Sequence, residues 1–382
     1  MTFDEAVLDD DLVLGQRDRG HLLWSLATAG AQVRRAAESL ADFGVERLRT
    51  DTAPRALLVA TDLPCADALL TRCGSASTAS VAWRGADLPR WAGPADALLV
   101  ACVEGHSPRL AGLAAQSAQR GLEMAVVAPA QTPVAAAAGR APWHELPRDL
   151  HPRAARWAVL TPLLQALDAL AVTPVPPSLL VEIADALDGQ AELAKPSGDA
   201  FTNAAKSLAI DFAESAPLVA GAGALAGVAA ETTAVSLGIL AGVVATAVSL
   251  PDGMAQAAAV LRGASSSDGS SDDDFFRDRV DDVPDRPRPR LLVVGDDGDP
   301  DDPLLGDQPV ASRQLDEVAA RRCAAALRDL AAQAGVRASS VDVPGGQPLA
   351  RFAAATAFGD FTATYLALGL GVDPSRPAWD AR

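Results

Sequence analysis

Short apolar runs alternate with amphipathic stretches along the chain. In its first half, ALLVAT (56–61), SVAW (80–83), ALLVACV (97–103) and EMAVVAP (123–129) are apolar runs of strand length, and LAGLAAQSAQRG between the last two has helical spacing. Continuous apolar runs are typical of parallel strands that are covered on both faces. Strands that alternate with helices in this way predict an α/β fold of αβα sandwich layers with doubly wound parallel sheets.

The same alternation returns in the second half, where the pattern predicts the following elements in chain order: a helix over 203–213, a strand over 217–220, a strand over 291–295, a helix over 313–335, a strand over 336–343 and a helix over 349–370. Periodicity also predicts long helices over 21–41 and 147–170. We therefore expect one topology used twice. The predicted domains are 1–172, which includes a bridging helix over 151–171, and 173–382.

Two stretches of unusual composition interrupt this pattern. Thr232–Leu250 is uncharged over about the length of a membrane-spanning helix. It is rich in small residues and has no aromatic or basic anchor at its end, so a core helix followed by a core strand is predicted instead, with no membrane contact. Residues 263–289 are acidic and of low complexity, and we expect a disordered insert because they contain too little apolar surface to fold alone.

Charge and cysteine usage narrow the class of protein. The formal net charge is −17, from 49 acidic and 32 basic residues, which excludes nucleic-acid binding as an expected function because nucleic acid requires clustered positive charge. The four cysteines form no C-x-x-C pair, so neither a metal site nor a disulfide framework is predicted. The first residues are acidic and do not resemble a signal peptide, which favours a cytoplasmic location.

Two local patterns suggest a ligand site. Gly221 and Gly223 follow a predicted strand in a loose G-x-G-x-x-A pattern, but no acidic residue follows about twenty positions on to hold a ribose, so no cofactor is predicted. His106 lies with Gly105 and Ser107 at the predicted carboxyl end of a strand, where ligands of parallel sheets bind. It is a candidate ligand-facing residue, and a surface loop histidine is the alternative.

Three longer segments resemble one known family. They are LPRDLHPRAARWAVLTPLLQAL, NAAKSLA with the following APLVAGAGALAGVAAE, and GDFTATYLALGLGVDP. Their order and spacing resemble the bacterial and archaeal bifunctional phosphoglucose/phosphomannose isomerases, which consist of two SIS (sugar isomerase) domains, and in particular a divergent TobH-like branch. The resemblance implies two SIS-type domains, a homodimer and a sugar phosphate ligand.

The positions that carry the chemistry of that family are altered in this chain. The first glycine loop of the family falls on residues 61–65 and ends at Cys65, and its phosphate loop falls on residues 102–107, where Gly105 is kept and Ser107 stands in for a threonine. The family's catalytic glutamate falls on Ile239 and its histidine on Ala255. Neither hydrocarbon side chain can transfer a proton.

The resemblance and these replacements lead to three hypotheses. The favoured one is a catalytically degenerate SIS protein that binds a sugar phosphate, or regulates mannose and glucose phosphate metabolism, with Gly105, His106, Ser107, Cys65, Gly221 and Gly223 as ligand-binding candidates and no catalytic residue. The second is an active aldose/ketose phosphate isomerase that uses rearranged residues, with His106, Glu231 and Asp252 as candidates. The third is a scaffold whose insert at 263–289 recruits a basic partner.

Overall fold

The computed structural model describes residues 2–74, 77–265, 287–295, 312–341 and 346–376. The chain divides into two compact units. We name the unit of residues 20–192 and 346–353 the N-unit, and the unit of residues 1–19, 193–345 and 354–382 the C-unit. The predicted domain boundary at 172/173 concerns the two sequence halves and stays a prediction.

The N-unit contains a parallel five-stranded sheet. Its strands are β1 (Ala56–Thr61), β2 (Ala79–Ala82), β3 (Ala97–Ala101), β4 (Glu123–Ala128) and β5 (Trp143–Glu145). They lie in the order β2-β1-β3-β4-β5. The order reverses between β1 and β3, which is the arrangement of a doubly wound sheet and confirms the predicted fold class. The strand β5 was missed because its three residues are too short to show a pattern.

The C-unit repeats this topology with four strands among the described residues. They are β6 (Ala216–Ala222), β7 (Thr246–Leu250), β8 (Pro289–Val294) and β9 (Ala338–Ser340), in the order β7-β6-β8-β9 and all parallel. In each unit the first strand therefore lies between the second strand, which is at the edge, and the third strand. The prediction of one topology used twice is confirmed.

Helices connect the strands in both units. In chain order they are α1 (Asp11–Arg17), α2 (Leu22–Ala27), α3 (Ala29–Glu38), α4 (Leu40–Phe43), α5 (Ala66–Arg72), α6 (Pro108–Arg120), α7 (Pro133–Ala137), α8 (Arg156–Ala169), α9 (Pro177–Leu193), α10 (Ala204–Ala213), α11 (Ala224–Ser236), α12 (Met254–Ser265), α13 (Ser312–Gln333) and α14 (Pro348–Gly369). In the N-unit core, leucines of α6 pack on apolar residues of β1, β3 and β4. In the C-unit core, α12 and α13 pack on β6 and β8.

Two predicted helices are shorter than expected. The helix predicted over 21–41 is three helices, because the chain leaves helical geometry at Thr28, whose hydroxyl donates to the Ser25 carbonyl at 2.7 Å, and again at Ser39. The helix predicted over 147–170, and with it the bridging helix over 151–171, begins only at Arg156 as α8. Before it, His151 caps a single turn, Pro152–Ala154, by accepting the Arg153 N–H at 3.2 Å.

The uncharged segment 232–250 contains the end of α11, a π-helical turn over Leu237–Ala241, and β7. It is a helix followed by a strand, as predicted. Among the described residues, one stretch, Ala224–Ala241, is long and apolar enough to span a bilayer by length and composition, and 56% of it is buried within the protein. Of the predicted insert 263–289, residues 266–286 lie outside the described residues.

Candidate functional site

The candidate site of the N-unit lies where β1 and β3 end side by side. Thr61, the last residue of β1, pairs with Ala101, the last residue of β3. The loop 102–107 then leads from β3 into α6, and the Ser107 side chain caps that helix by accepting the Leu110 N–H at 3.4 Å. The reversal of strand order at this edge opens a crevice, which is where ligands of doubly wound sheets bind.

Asp62, which follows β1, reaches across to this loop. Its carboxylate accepts the Val103 N–H at 2.9 Å and the Cys102 thiol at 3.0 Å. Burial, together with the hydrogen bond to Asp62, raises the pKa of the Cys102 thiol to about 12. Backbone N–H groups of Gly105 and Ser107 favour the thiolate and oppose that rise in pKa. The N–H groups of Val103, Gly105 and Ser107 are thus engaged by side chains of the site itself.

Gly105 has a structural reason to be glycine. Its φ is +75°, and a Cβ built on it would lie 2.4 Å from the Thr132 hydroxyl oxygen. Thr132 caps α7, and the Gly105 carbonyl accepts the Val134 N–H at 3.2 Å. The loop is therefore locked against the start of α7, and no larger residue fits without displacing Thr132.

His106 is exposed, and its Nδ1 contacts the backbone carbonyl oxygen of Glu104. Because a carbonyl oxygen only accepts, Nδ1 carries the proton in this contact and Nε2 is the acceptor nitrogen. Glu104 itself is exposed on the same loop. The side chains of loop 102–107 therefore offer one imidazole nitrogen as an acceptor, and one carboxylate.

A cavity of about 490 Å³ adjoins this loop and is lined by residues of 103–106, 129–132 and 146–155. Arg148 in its wall donates through Nη2 to the Ala130 carbonyl at 2.7 Å and to Gln131 Oε1 at 3.4 Å. Sequence reasoning missed Arg148 as a site residue, although it lies within one of the three segments that resemble the family. The structure thus brings Glu104, His106 and Arg148 to one cavity.

The other predicted residue of the N-unit, Cys65, precedes α5 in left-handed geometry, with φ +61°. It is half-buried, and its carbonyl accepts the Leu69 N–H at 3.0 Å. Among the described residues, no group of three or more His, Cys, Asp or Glu side chains is arranged to hold a metal ion.

The glycine turn of the C-unit serves packing. A Cβ on Gly221 would lie 2.2 Å from the Ala226 carbonyl oxygen, so α11 lies directly against β6. Gly223 has φ +105° and precedes α11 without a side-chain cap. These geometries describe a tight turn with close packing of the helix on the strand.

The positions to which the resemblance assigns the family's acid and base carry no titratable group. Ile239 lies in the π-helical turn with 45% of its surface exposed, and Ala255 is exposed on α12. The alternative candidates Glu231, on α11, and Asp252, after β7, are exposed residues of the C-unit, whereas His106 belongs to the N-unit.

Several residues of the resembling segments form a buried polar cluster in the C-unit. The Lys206 ammonium is fully buried and donates to the carbonyls of Leu8, Pro196 and Gly198, the last two at 2.6 Å. Its Nζ lies 5.5 Å from the ring centroid of Tyr365, whose hydroxyl donates to the Ala194 carbonyl at 2.6 Å.

Asn203 completes this cluster as the cap of α10. Its Oδ1 accepts the N–H groups of Ala205 and Lys206, and its Nδ2 donates to the Lys195 carbonyl at 3.1 Å. The segments NAAKSLA and GDFTATYLA therefore meet through Asn203, Lys206 and Tyr365, and what they share is a structural role.

The first two residues of GDFTATYLA, Gly359 and Asp360, contact α11. A Cβ on Gly359 would lie 2.3 Å from the Thr233 hydroxyl oxygen, and Asp360 accepts the Ser236 hydroxyl at 2.6 Å. These residues of the resembling segments therefore hold helices of the C-unit together.

Comparisons with known proteins identify relatives of this chain. Residues 201–378 match the family model of the bacterial phosphoglucose isomerase C-terminal SIS domain. No curated protein matches the chain in sequence.

Solved structures resemble the fold over almost the whole chain. A glucose-6-phosphate isomerase like protein from Thermus thermophilus is 17% identical with a TM-score of 0.52, covering 98% of this chain and 95% of its own. Tagatose-6-phosphate ketose/aldose isomerase from Escherichia coli is 15% identical with a TM-score of 0.55, covering 99% and 98%. The C-terminal domain of glucosamine-fructose-6-phosphate aminotransferase from Francisella tularensis is 10% identical with a TM-score of 0.57, covering 94% and 98%.

The two parallel α/β sheets and these structural neighbours define the fold of an SIS phosphosugar isomerase-like protein. The family match over 201–378 supports the phosphoglucose isomerase-like SIS family that the resembling segments predicted. The assignment of the chain to a TobH-like branch stays a prediction.

Proposed function

We propose that this protein is a catalytically degenerate SIS protein that binds a sugar phosphate and regulates mannose or glucose phosphate metabolism. The observation that carries the proposal is the chemistry at Ile239 and Ala255. Aldose/ketose isomerisation through an enediol needs a group that moves a proton between adjacent carbons, and neither side chain can accept one.

The cavity beside loop 102–107 is the proposed ligand site. Its volume of about 490 Å³ lies within the usual range for small-molecule pockets. Arg148 supplies a guanidinium, whose planar donors suit a phosphate group. His106 faces the same cavity and accepts through Nε2, which suits a sugar hydroxyl.

Two measurements on the purified protein test the proposal. Conversion of glucose-6-phosphate or mannose-6-phosphate to fructose-6-phosphate should stay at the rate of buffer alone. Either sugar phosphate should raise the melting temperature, because a ligand that binds only the folded state stabilises it by RT ln(1 + [L]/Kd). Arg148→Ala should remove that rise, whereas Arg72→Ala, on the exposed surface of α5, should keep it.

Isomerase activity that disappears in His106→Ala or Glu231→Ala would favour the active-isomerase hypothesis and overturn the degenerate one. Absence of a thermal shift with either sugar phosphate would overturn the proposed ligand.

A further inference from the structure

Loop 102–107 has the backbone form of an anion site. It connects a buried strand to the 13-residue helix α6 and contains a left-handed residue, Gly105, at φ +75°. Backbone N–H groups that converge in such a turn before a helix attract negative charge. In this chain the Val103 N–H already donates a hydrogen bond to a carboxylate, with 2.9 Å between its nitrogen and Asp62 Oδ1.

We propose that the exposed Asp62 carboxylate, which holds the Val103 N–H and the Cys102 thiol of loop 102–107, keeps the phosphate of a ligand out of that loop. This inference deepens the proposed function and rests on it in one respect only, namely that it directs the phosphate of the ligand to the Arg148 side of the cavity.

The sheet holds Asp62 in position for this role. The residues before it and before Cys102 are paired ends of neighbouring strands, Thr61 and Ala101, and the Asp62 N–H itself donates to the Ala101 carbonyl at 3.3 Å. The side chain therefore crosses to the loop from a fixed point of the backbone. Its second oxygen accepts the Cys102 thiol at 3.0 Å, so both carboxylate oxygens are directed at the loop.

Charge acts in the same direction as occupation. Glu104 adds a second carboxylate on the loop, and Val103 and Glu104 form the border between the loop and the cavity. A phosphate dianion that entered the loop would have to displace one carboxylate and lie beside another, and like charges at such range repel each other. Asp62 is thus a specificity-determining residue, because it lets the phosphate bind in the cavity and excludes it from the loop.

Titration with inorganic phosphate at low ionic strength tests this role, with affinity measured by calorimetry and by thermal shift. The wild-type protein should bind phosphate weakly, and Asp62→Ala, which removes both the charge and the acceptor, should bind it at least about tenfold more tightly. Asp62→Asn keeps an acceptor for the Val103 N–H and should gain less. Asp51→Ala, an exposed carboxylate of the same unit, removes one charge elsewhere and should leave affinity unchanged.

If Asp62→Ala melts cooperatively and shows no gain in phosphate affinity, the proposal is overturned. Equal gains in affinity in the Ala and Asn variants would also overturn it, because removal of the charge alone would then account for the effect. If Asp62→Ala does not fold, Asp62→Ser replaces it in the same comparison. The proposed function fails separately, through the absence of a wild-type thermal shift with sugar phosphate. The phosphate affinity of Asp62→Ala does not depend on that result.

Discussion

Replacing Lys206 by methionine removes the ammonium of the buried cluster while keeping most of the side-chain volume. In the wild-type protein this ammonium has no solvent exposure and is satisfied by three backbone carbonyls, one in the segment before α1 and two in the loop 196–198. The variant leaves all three carbonyls without this donor. Because Lys195 is the only other lysine of the chain and is exposed, Lys195→Met is a control of identical chemistry.

The expected loss follows from the acceptors that are left behind. A buried acceptor that loses its donor costs about 1–3 kcal/mol, and the carbonyls of Pro196 and Gly198, which are only partly buried, regain part of this from water. Removing the charge also relieves its desolvation, which is the main cause that lowers the pKa of Lys206. The net destabilisation should be about 2–4 kcal/mol, or about 5–12 °C in melting temperature for a unit of this size.

Urea unfolding followed by circular dichroism measures this difference, and limited proteolysis shows whether the loop 196–198 opens first. Lys206→Met should lower the free energy of unfolding by the stated amount, whereas Lys195→Met should change it by less than about 0.5 kcal/mol. Equal stabilities of the two variants would refute the assignment of Lys206 as the centre of a structural cluster.

Two further predictions concern the N-unit. Burial lowers the pKa of His144 to about 4 in the folded protein, from about 6.5 in the unfolded chain. The unfolded state therefore binds the proton more tightly, and the free energy of unfolding falls as pH drops from about 6.5 to 4. In urea unfolding over this interval the wild type should lose up to about 3 kcal/mol more than His144→Phe, and parallel pH profiles would contradict this. Gly105→Ala should lower the free energy of unfolding by about 2–3 kcal/mol, because the new Cβ would contact Thr132 and the backbone is left-handed there. Gly139→Ala, at φ +59° with open space around it, should lower it by about 1 kcal/mol. Similar losses in both variants would show that backbone strain alone accounts for the cost at Gly105.

The sheets could be predicted well from the sequence. The run ALLVAT coincides with β1, and EMAVVAP extends one residue past the end of β4. These strands could be found because strands covered on both faces are formed by nearly continuous apolar runs. Strand β5 could not be found, since Trp143–Glu145 becomes a strand only through its pairing with β4. The helix break at Thr28 is a local change of the backbone, which the periodicity of apolar residues does not record.

The candidate site was only partly accessible to sequence reasoning. The resemblance indicated which positions had lost their chemistry. It could not show that Asp62 contacts Val103, because 41 residues separate the two along the chain and only the pairing of β1 with β3 brings them together. Nor could it show that Lys206 is buried, because lysine is rarely found in a protein interior.

The carbonyl of Leu8 that binds Lys206 has a practical consequence for dividing this protein. Residues 2–19 belong to the C-unit: Asp4 donates its N–H to the Gly369 carbonyl at 2.9 Å, and Arg17 donates to the Leu368 carbonyl at 2.8 Å. A fragment that starts after residue 172 would therefore lack residues 2–19, which are part of the same compact unit. Co-expression with a peptide of residues 2–19, or a circular permutant that places this peptide after residue 376, would supply the missing carbonyl in trans or through a new linkage.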